Sequence, residues 1–202
     1  MSPRLKLAFM ASRNGSAFRA AVAAAQAGRL AADIVMLVSN SARAPALDFA
    51  REHGIACEVI PTAADPEAAD KALAAALAAS GADWVVLSGY LRRVGPAMLA
   101  RFPERILNIH PGPLPAFGGE GMYGRKVHEA VIAAGVPQSE ITIHLVDGEY
   151  DHGRVIGRWP VPVEAGDTPQ ALEQRVTALE PEVMTRTLVD LAEGRLEPSQ
   201  AS

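Results

Sequence analysis

"IVMLVSNSARAPALDFAREHGIACEVI", Ile34 to Ile60, decides the fold. Ile34–Val38 is an unbroken apolar run, the mark of a strand buried on both faces. Pro45 to His53 reads as a helix, and Gly54 supplies its C-terminal cap. Cys57–Ile60 is a second short strand. A buried strand, a helix and another short strand in 27 residues predict a layered α/β arrangement, with helices packed on a sheet.

The alternation continues outward on both sides. Leu5–Met10 reads as a strand, followed by "SRNGS" and an alanine-rich helix from about Ala17 to Gly28. Asp65 and Pro66 open a helix that runs to about Ser80, with Leu73 and Leu77 on its inner face and Gly81 beyond it. Trp84–Leu87 is a strand, Pro96–Arg101 a short helix and Arg105–Ile109 a further strand. The pattern implies an open, mostly parallel α/β sheet, whose ligands bind outside the carboxyl ends of the strands. The loops leaving those ends are therefore the candidate site walls.

Past Ile109 the pattern changes. Gly124–Ala134 predicts a helix with Val127 and Val131 inward. Ile141, Ile143 and Leu145 alternate with Thr142, His144 and Val146, as in a half-buried strand. Val155–Val163 carries Pro160 and Pro162, which cannot donate to a ladder, and so belongs at an edge. Thr168 and Pro169 open a last helix whose apolar stripe is Leu172, Val176, Leu179, Val183 and Leu191. One domain is expected over residues 1–196, with a frayed tail at 197–202.

Composition narrows the function. A net charge of −4 without a large basic block argues against nucleic acid as the main partner. No apolar run reaches membrane-spanning length. The single Cys57 excludes an internal disulfide and suits a reducing cytoplasm; it reads as a small hydrophobe.

Four stretches carry chemistry. In "LNIHPGPLP", Leu107–Pro115, Asn108 and His110 are two apart on a strand and share a face at the ligand-binding edge. An amide donates to a developing oxyanion, and an imidazole does the same when protonated or moves a proton. "HLVDGEYDHGRVI", His144–Ile156, gathers Asp147, Glu149, Asp151 and His152. A carboxylate beside an imidazole favours the imidazolium, so one of these acids could partner His110; the residues alone do not choose which. "ASRNGSAF" lies between the first strand and first helix, where backbone amides and the helix dipole attract anions, although neither the dinucleotide fingerprint nor a Walker lysine is present. "GYLRRVGP", Gly89–Pro96, could wall a pocket for a flat heterocycle.

Together these stretches resemble the formyltetrahydrofolate-dependent formyltransferases. "LNIHPGPLP" and "DHGRVIGRWPVPV" (Asp151–Val163) carry the resemblance, "VVLSGYLRRVGP" (Val85–Pro96) and "SRNGS" support it, and matches in order run from about Leu5 to Leu196. The resemblance implies a Rossmann-like sheet with helices on both faces and an antiparallel C-terminal edge. It implies 10-formyltetrahydrofolate as co-substrate, no metal, and as acceptor the amine of a phosphorylated ribonucleotide in purine synthesis.

The family's catalytic trio falls on Asn108, His110 and Asp151. Leu91, Arg92 and Val94 match the segment that contacts the pterin, partly through backbone groups, and Val146 to Asp151 the loop that closes over it. Asn14, Gly15 and Ser16 match the phosphate turn, Pro111 follows the catalytic histidine, and Glu180 matches the acid that holds the ribose. Arg13 stands where the family has Gly, Ala17 where it has Asn, and Pro181 replaces the usual neighbour of the ribose acid; Arg13 thus becomes a candidate phosphate ligand. The loop holding Gly118–Tyr123 is longer and more glycine-rich than the commonest family form, although His128 falls on a family histidine.

Relatives that hydrolyse the folate carry an added N-terminal domain, and those acting on transfer RNA an added C-terminal one. Neither fits before Leu5 or after Leu196, so a small-molecule acceptor is expected; a monomer or homodimer is expected as the assembly. Three alternatives keep other chemistry: another amine or water as acceptor, a metal hydrolase using His110, His144 and His152, and a folate-binding homologue without turnover.

Overall fold

Strand β1, Leu5–Met10, sits in mid-sheet and feeds both layers of the core. Its side chains alternate between the faces: Leu7 and Phe9 enter one cluster, Ala8 and Met10 the other, all at 0% exposure. The computed structural model describes residues 4–196; the expected tail at 197–202 lies outside the described residues.

The remaining elements are α1 (Ser16–Gln26), β2 (Ala32–Ser39), α2 (Pro45–Glu52), β3 (Cys57–Val59), α3 (Pro66–Ala79), β4 (Trp84–Leu87), α4 (Pro96–Arg101), β5 (Ile106–His110), α5 (Arg125–Ala133), β6 (Gln138–Leu145), β7 (Val155–Pro162) and α6 (Pro169–Ala192). The seven strands lie in the order β3-β2-β1-β4-β5-β6-β7. β1 to β5 pair in parallel, whereas β6 and β7 add antiparallel, as the resemblance implied. α1, α2, α5 and α6 supply one core cluster, α3 and α4 the other. Each large side chain buried this way contributes about 1.5–3 kcal/mol of transfer free energy.

The chain runs outward from β1 to β3 and returns to β4 on the other side of β1. That reversal opens a crevice between the loops after β1 and β4. Hydrogen bonds stitch those loops together. Ser12 N donates to Gly89 O (3.2 Å), Leu91 N to Ser12 Oγ (2.8 Å) and Phe18 N to Ser88 Oγ (3.1 Å).

The helix starts follow their sequence signals. Asp65 accepts from Ala68 N at 2.9 Å and Thr168 Oγ1 from Ala171 N at 3.2 Å, each before a proline at the first helical position. β7 forms the sheet edge, where Pro160 and Pro162 cost no ladder bonds.

Two expectations are corrected. β6 is buried on both faces rather than half-buried: Thr142 is 0% and His144 2% exposed. The loop after β5 folds back over that face, and Thr142 Oγ1 donates to Gly112 O at 2.8 Å. Leu179 is 42% exposed and leaves the stripe of α6. Val176, Val183, Met184, Thr187, Leu188 and Leu191 are buried there. At about 100° per residue their common direction passes through Glu180, not Leu179.

Candidate active site

β5 ends the parallel part of the sheet and presents Asn108 and His110 on one face. Antiparallel register sets His144 of β6 opposite Asn108, and Thr142 opposite His110. Directly opposed side chains in such a pair share a face and touch. Asn108 Nδ2 accordingly lies 3.0 Å from His144 Nε2. The β6–β7 ladder shifts register between Ile143 and His144, so a bulge falls beside this residue. The sequence named His144 only as a metal-ligand alternative; the register was the signal that joins it to Asn108.

Asp151 completes the cluster from the β6–β7 loop. Its Oδ2 lies 3.4 Å from His110 Nδ1, and its Oδ1 lies 3.5 Å from His144 Nε2. Oδ2 also accepts from Gly119 N at 3.1 Å. Burial alone would push this carboxyl up, but the His110 and His144 imidazoles beside it and the Gly119 amide hold it well below the usual carboxylate range. Asp151 adopts φ 55°, a conformation few non-glycine residues tolerate and one that recurs at functional sites. Two residues on, a Cβ at Gly153 would meet Leu145 O at 2.0 Å, so the spacing Asp-x-Gly is sterically required.

The acids left open by the sequence are now distinguished by their partners. Asp147 pairs with exposed His152 at 2.8 Å, whereas Asp151 faces the buried imidazoles. His110 is 3% exposed, and both its nitrogens are engaged: Nε2–H donates to Phe117 O at 2.8 Å while Nδ1 faces Asp151. His144 Nδ1–H donates to Leu145 O at 2.8 Å. Asn108 has a second amide hydrogen with no partner among the described residues and lines a cavity of about 80 Å³. His128 is buried near this cluster, its Nδ1 has no partner among the described residues, and burial lowers its pKa.

That cavity gathers Asn108, Asp151, Arg92, Val94 and Val146 with His144, Tyr90 and Arg93. The Tyr90 hydroxyl is buried with no partner among the described residues, and burial pushes it up to about 12. A second cavity of about 560 Å³ shares Arg92, Arg93 and Val94 and reaches Thr62 and Asp70. Apolar walls with a few polar groups suit a flat heterocycle with a polar tail. Leu91 does not join this lining: its side chain is 53% exposed, and its amide is already bonded to Ser12.

The turn after β1 stands at the other lip of the crevice. Gly15 adopts φ 62°, and a Cβ there would sit 3.3 Å from both Ala11 and Ala46. Phe18 N is taken by Ser88, while the amides of Ser16 and Ala17 make no hydrogen bond among the described residues. Asn14 O accepts from Arg19 Nε at 2.9 Å, which braces the turn. Arg13 is exposed, and its side chain has no polar partner among the described residues. Pro111 is half-buried just past β5. Glu180, half-buried at the centre of α6's inner face, makes no hydrogen bond or ion pair among the described residues, and burial raises it to about 7. Also among the described residues, no group of three His, Cys, Asp or Glu side chains could hold a metal ion, and no helix is long and apolar enough to cross a membrane.

Residues 5–188 match the Formyl transferase family, and the chain belongs to it. Its relatives include the chloroplastic phosphoribosylglycinamide formyltransferase of Arabidopsis thaliana, 40% identical over 198 residues that make up 96% of this chain and 68% of that protein. The phosphoribosylglycinamide formyltransferase of Mycobacterium tuberculosis is 35% identical over 189 residues, 93% of this chain and 85% of its own. Among solved structures, glycinamide ribonucleotide transformylase 1 from Symbiobacterium toebii superposes with a TM-score of 0.88 at 33% identity, covering 98% of this chain and 92% of that one.

Proposed function

We propose that the chain transfers the formyl group of 10-formyltetrahydrofolate to the amine of glycinamide ribonucleotide, a step of purine biosynthesis in a reducing cytoplasm. The observation that best supports this reading is the cluster of Asn108, His110, His144 and Asp151, of which Asn108, His144 and Asp151 line the smaller cavity. The family match and the named relatives support the same acceptor.

In this reading Arg92, Val94, Val146 and Asp151 surround the pterin, with Leu91 contributing its backbone carbonyl rather than its amide. Gly15, Ser16 and Asn14 form the phosphate turn with Arg13 beside it; Glu180 holds the ribose and Pro111 borders the acceptor. Attack of the amine on the formyl carbon forms one C–N bond, and the bond to the donor nitrogen then breaks. Asn108 donates its free amide hydrogen to the oxygen on which negative charge gathers. His110 joins it by exchanging the Phe117 carbonyl for that oxygen. Asp151 holds the imidazoles and, through water, carries the proton from the acceptor nitrogen to the departing one. One oriented oxyanion donor contributes about 3–4 kcal/mol to such a step, and no covalent enzyme intermediate is required.

The test is direct. Purified protein is mixed with 10-formyltetrahydrofolate and glycinamide ribonucleotide, and the formylated product is measured. Turnover comparable to the Arabidopsis relative is expected; none under the conditions in which that relative works would sink the assignment.

A further inference from the structure

The two cavities adjoin across a single contact. Arg93, on the β4–α4 loop, donates from its guanidinium to the Gly148 carbonyl on the β6–β7 loop. The same guanidinium lies 5.8 Å from the centre of the Tyr150 ring, inside cation–π range. Arg93 walls both cavities, Tyr150 the inner one and Gly148 the outer one.

The two sides of the contact differ in rigidity. Val94 is 6% exposed, and Asp70 accepts from Ala97 N at 2.7 Å and Met98 N at 3.2 Å, so the Arg93 side is tied into the core. Across the gap, Gly148, Glu149 and Tyr150 are all exposed. The loop tip is held from within by Asp147, which accepts from Glu149 N at 2.8 Å. Asp151 anchors the far end of this loop to His110, His144 and Gly119, so the fixed arm grips the exposed tip between Asp147 and Asp151. Closed in this way, the inner cavity of about 80 Å³ is well below the roughly 300 Å³ at which ligand pockets begin.

We infer that Arg93 straps the β6–β7 loop across the donor site: a donor spanning both cavities enters only after Arg93 releases Gly148, and the remade contact slows its escape. This rests on the folate reading above. Arg93 acts here as a positioning residue, through the loop rather than on the reacting atoms. A hydrogen bond from a charged donor shifts a two-state equilibrium by one to two decades, and the exposure of this one puts it near the lower end, about tenfold.

The experiment is stopped-flow binding of 10-formyl-5,8-dideazafolate, without acceptor, to the native protein, Arg93→Leu and Arg93→Lys. Leu keeps the apolar stem and removes the donor; Lys keeps the charge without the planar fork. For Arg93→Leu the association and dissociation rates both rise about tenfold, and the dissociation constant stays within about threefold. Arg93→Lys falls between Leu and native. Unchanged rates, or faster dissociation alone, would show an ordinary contact and overturn the strap while leaving the folate reading intact. Slower association would make Arg93 a steering charge instead, with the same consequence. No binding by the native protein would overturn the folate reading and the strap with it.

Discussion

Replacing Asp151 by Asn removes one charge and little volume. The Asp151 carboxylate is 11% exposed and lies 3.4 Å from His110 Nδ1. At an effective dielectric of about 20, two unit charges at that separation attract by about 5 kcal/mol. In the proposed reaction this interaction favours the imidazolium when charge gathers on the formyl oxygen, and the variant loses most of it. At about 1.4 kcal/mol per decade, kcat falls roughly 1,000-fold. Donor binding changes less, because the Asn amide still fills the cavity wall. The assay is saturating formyl transfer at pH 7.5, with folate affinity measured separately by calorimetry.

A second readout is independent of turnover. The folded carboxyl lies well below its ordinary value of 3.8, so its contribution to stability is present above that pH and is lost as pH falls through the folded value. The melting difference between native protein and variant should therefore shrink steadily as pH falls from 5 to 2.5. Turnover within tenfold of native, or a melting difference that does not change with acid, would refute the assigned pairing.

Glu180→Gln should show the opposite pH sign. Its folded value of about 7 is raised above 4.5, so the stability linked to the neutral acid is full below 4.5 and is lost as pH rises through 7. The variant escapes that loss and gains about 1–2 kcal/mol over native at pH 8 and little at pH 5, after discounting for partial exposure; a pH-independent difference in melting temperature would contradict this. Arg13→Ala should raise KM for the ribonucleotide about tenfold and leave kcat within twofold, as expected for loss of one charge-assisted phosphate contact; an unchanged KM would remove Arg13 from the turn's chemistry. His144→Gln should lower kcat about 10- to 100-fold with little change in either KM, because it loosens both Asn108 and Asp151; unaltered kcat would reduce His144 to packing.

The sheet was legible because its strands obey simple rules. Ile34–Val38 and Trp84–Leu87 are unbroken apolar runs, and a strand so written has to be covered on both faces. Prolines at 160 and 162 put β7 at an edge before any register was known. Leu179 was misread because a stripe at spacings of three and four admits two directions about 100° apart, and the choice between them depends on what α6 packs against. β6 was misread for a similar reason. Its alternation is genuine, but Thr142 and His144 are polar residues with buried partners, Gly112 O for one and Asn108 with Asp151 for the other. Alternating polarity marks the two faces of a strand; it does not say that the polar face meets water.

The same point explains the site. A reading along the chain finds Asn108 and His110 because they lie two apart, and finds three acids and a histidine in "DGEYDH" without ranking them. What ranks them is a cross-strand fact: β6 returns antiparallel with His144 opposite Asn108, and the bulge beside it directs the next loop back over β5. Asp151 then meets two imidazoles with its two oxygens, while Asp147, four residues earlier, turns to exposed His152. A shift of one residue in that register would send His144 to the opposite face and leave a buried carboxylate facing His110 alone. Strand pairing therefore places this cluster as much as residue identity does, and the Gly118–Tyr123 loop completes it by setting the Gly119 amide on Asp151.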